Sequence, residues 1–120
     1  MRFTGLRPTL YTNELEATVT FYTRTLGFTC ESLDFSAGWA SLRRDDVGIM
    51  LSLPNKHLPY EKPIFTGSIY ITIDTVDVLW NQVKEKAAVC YEIETFSYGM
   101  REFAIFDNNG YLIQFGQQVG

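Results

Sequence analysis

The sequence predicts an α+β fold made of two successive β-α-β-β-β units. Two observations carry this prediction. Each half of the chain holds one segment of helical length with a recurring apolar face, at 14–26 and at 75–87, set among short apolar runs of strand length. In addition, residues 45–53 align with residues 107–115 without a gap, so the order of elements repeats after about 60 residues. Such a repeat indicates one architecture used twice within a single domain, 1–120.

The first unit, about 6–53, contains a helix whose start and end are both marked. Asn13 is expected to cap the helix, and Glu16 stands where the carboxylate of a capping box would lie. Gly27 follows the last apolar position and is expected to end the helix in the left-handed conformation. The predicted strands of this unit are 6–12, 28–34, 38–44 and 49–53.

The second unit, about 67–116, repeats the same order after a proline-rich linker at 54–66. A loop of this length in a small domain is often a lid or a binding loop. Asp74 or Thr75 is expected to cap the second helix. The predicted strands of this unit are 67–73, 89–96, 100–106 and 111–116.

The composition excludes several classes of partner. The net charge is −4 and the isoelectric point is about 4.9, whereas nucleic acids and anionic membranes bind basic patches. No apolar run approaches the roughly 20 residues that span a bilayer, and no basic-then-apolar leader opens the chain. We therefore expect a soluble cytoplasmic protein with no nucleic-acid or membrane partner. Its two cysteines, Cys30 and Cys90, are expected to be small buried residues and not a disulfide framework.

A set of motifs near the N-terminus resembles a known family. Residues 7–13, Arg-Pro-Thr-Leu-Tyr-Thr-Asn, precede a short helix, and Phe21-Tyr22 and Leu26-Gly27-Phe28 follow at a characteristic spacing. This opening resembles the glyoxalase, bleomycin-resistance and extradiol-dioxygenase superfamily, whose fold is called the vicinal oxygen chelate fold. The resemblance implies that the two units pair into one curved mixed sheet, a cup with the helices outside.

Metalloenzymes of that superfamily bind a divalent metal inside the cup, through His and Glu on the first and fourth strands of each unit. At the corresponding positions of this chain stand Arg7 or Pro8, Ser52, Ser68 and Gln114. None of them supplies the imidazole or carboxylate that a first-row divalent ion prefers, and the only histidine, His57, lies in the linker. The sequence therefore predicts no metal and no cofactor, and it argues against glyoxalase I and extradiol dioxygenase chemistry.

The metal-free branch of the superfamily includes the bleomycin resistance proteins, which look similar in the proline of the first strand and in an ending like residues 110–116. Those proteins are homodimers that sequester a drug in grooves between subunits. The resemblance thus predicts a homodimer that binds an aromatic or cationic small molecule, and the 15% of aromatic residues and the acidic net charge suit such a ligand. The ligand-binding candidates are Phe35, Trp39, Ser52, His57, Tyr60, Ser68, Tyr70, Tyr98, Arg101, Phe103 and Gln114.

Other interpretations of the same residues stay open. Each aromatic candidate has the alternative of packing in the core or in a dimer interface. A second function is that of an enzyme of the same fold, a lyase, isomerase or dioxygenase acting on a small oxygenated substrate. Its polar groups would be Arg101, Glu102, His57 and Gln114. A third is that of a regulatory or scaffolding dimer with a vestigial cup.

Overall fold

The computed structural model describes residues 1–57 and 59–120, so Leu58 of the predicted linker lies outside the described residues. The chain forms two compact units, Met1–Glu61 and Lys62–Gly120. Each unit contains a four-stranded mixed sheet and a helical segment. The predicted α+β fold class is therefore confirmed.

The first unit runs in the order β-α-β-β-β. Its elements are β1 (Thr9–Tyr11), α1 (Leu15–Thr20), β2 (Thr29–Asp34), β3 (Trp39–Arg44) and β4 (Val47–Ser52). The strand order in its sheet is β1-β4-β3-β2. Strand β1 runs parallel to β4, and the other neighbours are antiparallel. Strand β1 is shorter than the predicted strand 6–12, because only three of its residues pair with β4.

The second unit has the same order of elements. They are β5 (Ile69–Thr72), α2 (Val76–Val83), β6 (Ala88–Thr95), β7 (Met100–Phe106) and β8 (Leu112–Gln118). The strand order is β5-β8-β7-β6, with β5 parallel to β8 and the remaining pairs antiparallel. Within the described part of the chain, no helix has the length and apolar character needed to cross a membrane.

The predicted helix 14–26 is a short α-helix that continues as a π-helical segment, Phe21–Thr25. Gly27 then has a φ of +72°, which confirms the left-handed stop. A side chain at this position would also collide with Arg44, since a Cβ would lie 2.7 Å from its Nη1 atom. Arg44 instead donates a hydrogen bond of 2.6 Å to the carbonyl of Leu26 and so fastens the end of the helix to β3.

The side-chain caps expected at Asn13 and at Asp74 or Thr75 do not form, and the Asp74 carboxylate instead accepts the hydroxyl of Thr75. Before the first helix, Thr12 Oγ1 accepts the N–H of Glu14 at 2.9 Å. This bond orders the turn that leads into the helix and does not cap the N–H groups of its first turn. At the second helix, the N–H that follows Thr75 donates to Gln117 Oε1 at 3.0 Å. This cap comes from β8, 41 residues away, and no local sequence pattern reveals it.

Each helix packs its apolar face against strands of its own sheet. In the first unit Tyr22 is fully buried and meets Phe28 edge to face at 5.7 Å between ring centroids. In the second unit Phe103 is fully buried, with its ring 5.0 Å from Trp80 and 5.2 Å from Phe115. These aromatic contacts anchor the two cores.

The expectation of two buried cysteines is wrong. Cys90 is exposed and Cys30 is only half-buried. Both lie on the outermost strands of their sheets, β6 and β2, at places where the pairing register shifts. A bulge at an edge strand turns a side chain out of the regular alternation, and this removes the burial that a central strand would give.

The two hairpins that the sequence aligned without a gap differ in length. Two residues separate Arg44 from Val47, whereas five separate Phe106 from Leu112. The longer turn is organised by Asp107, whose Oδ1 accepts the backbone N–H groups of residues 109, 110 and 111 at 2.8, 3.0 and 3.0 Å. The gapless alignment of 45–53 with 107–115 is therefore not the alignment of the strands.

Candidate functional site

The second unit contains a buried carboxylate surrounded by tyrosine hydroxyls. Glu102, on β7, has only 1% of its surface exposed. Its Oε1 atom accepts a hydrogen bond from Tyr70 at 3.0 Å and from Tyr98 at 2.6 Å, and its Oε2 atom accepts one from Tyr91. We call these four residues the Glu102 cluster. Burying a carboxylate is costly unless hydrogen bonds replace its water, and the three hydroxyls do so here.

The sheet register brings the cluster together. Tyr70 on β5, Gln114 on β8, Ala104 on β7 and Tyr91 on β6 are successive partners across the four strands. Glu102 lies two residues from Ala104 on β7, so its side chain leaves the sheet on the same face. The opposite face of β7 carries Phe103 and packs against α2.

A glycine lets Tyr70 reach the carboxylate. Gly116 is the register partner of Glu102 on β8, and it lies between Glu102 and β5 in the sheet. A Cβ built on Gly116 would overlap the hydroxyl of Tyr70 and would lie 2.8 Å from its Cζ atom. The phenol ring therefore crosses the sheet over the bare backbone, and any larger residue at position 116 would displace it.

A second chain of hydrogen bonds joins the cluster to β5 and β8. Ser68 donates its hydroxyl to Gln114 Oε1, and Gln114 Nε2 donates to the Tyr91 hydroxyl at 2.9 Å. Tyr91 in turn donates to Glu102. The ionised carboxylate of Glu102 can only accept, so Tyr91 must donate to it. Gln114 therefore turns its Nε2 donor towards Tyr91 and its Oε1 acceptor towards Ser68.

The cluster holds Glu102 as an anion and its tyrosines as neutral phenols. Burial raises the pKa of Glu102, but the hydroxyls of Tyr91, Tyr98 and Tyr70 outweigh burial and leave that pKa below its ordinary value. The hydrogen bond to Glu102, followed by burial, raises the pKa of Tyr98 to about 12. Burial, followed by the contact with Glu102, raises the pKa of Tyr91 and of Tyr70.

This arrangement predicts how stability depends on pH. Because the pKa of Glu102 is lower in the folded chain than its ordinary 4.5, the stability it contributes is complete above about pH 4.5 and is lost as the pH falls through the folded value. At the alkaline end, the raised pKa of Tyr98 contributes stability that is complete below pH 10 and is lost as the pH rises towards about 12. Urea denaturation over a pH series gives the free energy of unfolding as a function of pH. It measures both the decrease at low pH, the acid limb of this curve, and the decrease at high pH.

The acid limb has a matched control. Asp34 and Asp77 also have lowered pKa values, Asp34 through the N–H of Ala37 and Asp77 through Arg101, so the wild-type curve alone does not isolate Glu102. Glu102→Gln is expected to flatten the acid limb relative to the wild type, because the glutamine does not titrate. An unchanged acid limb in this variant would contradict a lowered pKa at Glu102.

Comparison with known proteins identifies the family. Residues 6–115 match the family model described as the Glyoxalase/Bleomycin resistance protein/Dioxygenase superfamily. The chain belongs to this superfamily. None of the curated proteins compared matches it.

Several solved structures share the fold of this superfamily member. A bleomycin resistance determinant encoded on transposon Tn5 is 22% identical with a TM-score of 0.77, over 97% of this chain and 98% of that one. TioX from Micromonospora sp. ML1 is 16% identical with a TM-score of 0.76, over 98% and 100%. A lactoylglutathione lyase from Agrobacterium tumefaciens is 17% identical with a TM-score of 0.74, over 95% and 92%. These identities show a common fold, and a common fold does not assign a ligand.

The residues at the superfamily's metal-ligand positions do not fit a divalent cation. Ser68 and Gln114 are bonded to each other, and Ser52 donates its hydroxyl to a neighbouring backbone carbonyl at 2.9 Å. Arg7 is itself a cation, so the set contains no imidazole and no carboxylate. Among residues 1–57 and 59–120, no group of three His, Cys, Asp or Glu side chains is placed to hold a metal.

Four of the ligand-binding candidates meet at the Glu102 cluster. They are Ser68, Tyr70, Tyr98 and Gln114. Five others lie in the first unit, where Trp39 and Ser52 are register partners on β3 and β4. Phe35 and His57 are exposed there, and Tyr60 is half-buried.

Two candidates lie on the other face of the second sheet. Phe103 is a core residue with no exposed surface, so its assignment as a ligand contact is corrected. Arg101 donates hydrogen bonds from Nε and Nη2 to the carboxylate of Asp77 on α2, at 3.0 and 2.9 Å. It is likewise not part of the Glu102 cluster. Both residues lie away from Glu102 for one reason: positions 101 and 103 alternate with position 102 along β7, so their side chains leave the opposite face of the sheet.

The sequence interpretation missed Tyr91 and placed Glu102 only in the enzymatic alternative. Tyr91 follows a shift in the register of β6, so simple alternation along that strand does not predict its face. The signal that was present is the acidic Glu102 on the strand Met100–Phe106, directly before the apolar run 103–106. A buried carboxylate needs hydrogen-bond donors, and tyrosines on neighbouring strands are suitable ones.

Proposed function

We propose that this superfamily member is a metal-independent small-molecule binding protein whose ligand, aromatic or cationic, sits on the Glu102 cluster. The observation that carries the proposal is a buried carboxylate beneath partly exposed tyrosine rings. Tyr70 and Tyr98 expose 42% and 64% of their surface, while the carboxylate they share is 1% exposed. A ligand would therefore meet aromatic surface first and the negative charge behind it.

The aromatic surface extends beyond the cluster. Phe96 stacks on Tyr98 with a centroid distance of 5.4 Å and an angle of 8° between the rings. Tyr91 meets the edge of Phe96 at 5.7 Å. Flat rings held in this way offer a platform for an aromatic group, and stacked or edge-on ring pairs are favourable beyond simple burial.

The charge beneath the rings favours a cation. The face of a phenol ring is electrostatically negative and attracts cations within about 6 Å of its centroid. Here Tyr70 and Tyr98 donate their hydroxyls to a carboxylate, which places a full negative charge at the hydroxyl end of both rings. The net charge of −4 acts in the same direction at longer range.

The protonation states favour binding over acid–base catalysis. A general acid or base works best with a pKa near the operating pH. In the cluster, the pKa of Glu102 lies below its ordinary value and the pKa values of Tyr70, Tyr91 and Tyr98 lie above theirs. The four groups therefore keep their charge states at neutral pH, which suits a fixed recognition surface.

The proposal includes a homodimer. It is supported by membership of the superfamily and by apolar side chains that one chain leaves in solvent. Examples are Leu6, Ile64 and Phe65, which are 95, 87 and 58% exposed. Sedimentation velocity on the binding samples should find twice the chain mass of 13.8 kDa, and a species of the single-chain mass would contradict this part of the proposal.

A pair of matched probes tests the binding site. N-methylquinolinium is a planar aromatic cation, and quinoline is its neutral counterpart; bleomycin serves as a larger cationic probe. Calorimetric titration is expected to show tighter binding of the cation. Tyr98→Leu should raise its dissociation constant about 2- to 5-fold, the size of one exposed cation–π contact.

The control for this substitution is Phe3→Leu, which removes an aromatic ring that is 90% exposed and lies outside the cluster. It is expected to leave the affinity unchanged. Equal affinity for the two quinoline probes would contradict a cationic ligand. Failure of all three probes to bind, or an equal loss in Phe3→Leu, would contradict the proposed site.

A further inference from the structure

A pair of arginines in the first unit converges over a glycine. Gly48 lies on β4, and a Cβ built on it would lie 3.1 Å from Arg7 Nε and 3.2 Å from Arg43 Nη2. We propose that Arg7 and Arg43, together with the hydroxyl of Ser41, form a binding site for an oxyanion, the carboxylate or phosphate group of a small molecule. All three residues belong to the first unit.

The sheet register explains why the two guanidinium groups meet. Thr9 on β1 pairs with Met50 on β4, so Arg7, two residues earlier, falls beside Gly48. Arg43 on β3 is the register partner of Gly48 from the other side. With no side chain at position 48, the two arginine side chains lie over the backbone of the strand between them.

A buried hydroxyl holds Arg7 in place. Ser41 is 7% exposed, and its Oγ atom accepts a hydrogen bond of 3.1 Å from Arg7 Nη1. Ser41 lies two residues before Arg43 on β3, so both side chains leave the same face of the sheet. Arg7 thus keeps a defined direction although it starts from the exposed segment before β1.

The two arginines are incompletely neutralised. Arg43 Nε lies 3.4 Å from Glu31 Oε1, and both side chains of this ion pair are partly exposed, so the pair is a weak one. Within the described residues, no carboxylate lies within 4.0 Å of Arg7. Two like charges this close repel each other, and an anion that bridges them would remove the repulsion.

The geometry favours an oxyanion over a simple halide. Each guanidinium carries five N–H donors in a rigid planar fork that matches the spacing of carboxylate and phosphate oxygens. Ser41 and Glu31 each engage one nitrogen atom, so donors remain on both arginines. The neighbouring Arg44 takes no part, because it donates to the carbonyl of Leu26.

The test is a titration of the full chain with inorganic phosphate and, separately, with acetate, at an ionic strength held constant with sodium chloride. Nitrogen-15 NMR follows the amide of Gly48 and the Nε–H groups of Arg7 and Arg43. We expect saturable shifts at these three positions. Arg7→Gln and Arg43→Gln should each weaken binding at least about tenfold, because each removes a positive charge and the paired N–H donors of one guanidinium group.

The control is Arg24→Gln, which removes the same charge from an exposed position and should leave the affinity unchanged. Arg7→Lys keeps the charge but not the fork, and it should bind more weakly than the wild type. Tighter binding of phosphate would assign a phosphate-bearing ligand, and tighter binding of acetate a carboxylate-bearing one. Shifts that do not saturate, or an equal loss in Arg24→Gln, would overturn the proposal.

Discussion

Replacing Phe103 with alanine is expected to lower the free energy of unfolding by about 3–5 kcal/mol, the usual cost of deleting a large buried aromatic side chain. Phe103 has no exposed surface, and its ring lies 5.0 Å from Trp80 and 5.2 Å from Phe115. Truncation leaves a cavity between α2 and the sheet that the fixed backbone of β7 and β8 cannot fill. Chemical denaturation monitored by tryptophan fluorescence measures the change, because Trp80 borders the cavity.

Phe35→Ala is the matched control, since Phe35 exposes 56% of its surface in the turn between β2 and β3. Its loss should change the free energy of unfolding by no more than about 0.5 kcal/mol. The pair of variants distinguishes a buried core phenylalanine from an exposed one, which the residue type alone does not do. A small effect at Phe103 together with a large one at Phe35 would show that the burial described for these two rings is wrong.

The order of helices and strands could be predicted from the sequence, because the patterns that indicate each element lie within a few residues of each other. The helix face that includes Tyr22 and Leu26, and the stop at Gly27, depend on residues within a few positions of each other. The starts of the helices were harder to predict. The N–H after Thr75 is satisfied by Gln117, and an interaction between residues so distant in sequence leaves no local pattern.

The members of the site could be predicted only where the sequence shows which face of the sheet each side chain leaves. Tyr70 and Gln114 lie on regularly paired strands, β5 and β8, where they are register partners. On β7 the candidates were chosen by residue type, so Phe103 and Arg101 were included although Glu102 occupies the other face. Only the register of β6, which shifts on both sides of Tyr91, determines that Tyr91 completes the ring of donors.

The same structural device occurs once in each sheet. Gly48 on β4 and Gly116 on β8 are both on the last strand of their unit, and side chains from both sides of that strand lie over each of them. Over Gly116 a tyrosine reaches a carboxylate, whereas over Gly48 two arginines converge. The charge that lies over the glycine is thus opposite in the two units, and the ligand chemistry proposed for each unit follows from the side chains and not from the fold.

Glu102→Gln is expected to have a large effect on both stability and the tyrosine pKa values. The amide is neutral, and its nitrogen must face a hydroxyl that now donates to a carboxylate. Hydrogen bonds to a charged group are worth about 1.5–3 kcal/mol each, so the loss in the free energy of unfolding should be about 2–4 kcal/mol. Affinity for N-methylquinolinium should fall with it, because the negative charge beneath Tyr70 and Tyr98 is gone.

The tyrosine titration distinguishes this mechanism from a general loss of packing. In the wild type the hydrogen bond to Glu102 is the main reason why the pKa of Tyr98 is raised to about 12. In Glu102→Gln, the ultraviolet titration of that phenol should shift down towards the ordinary value of 10. Glu92→Gln removes the same charge from an exposed position on β6 and should change neither quantity. A destabilised Glu102→Gln variant whose tyrosine titration matched the wild type would mean that the carboxylate acts through packing alone, and the electrostatic basis of the proposed ligand site would fail with it.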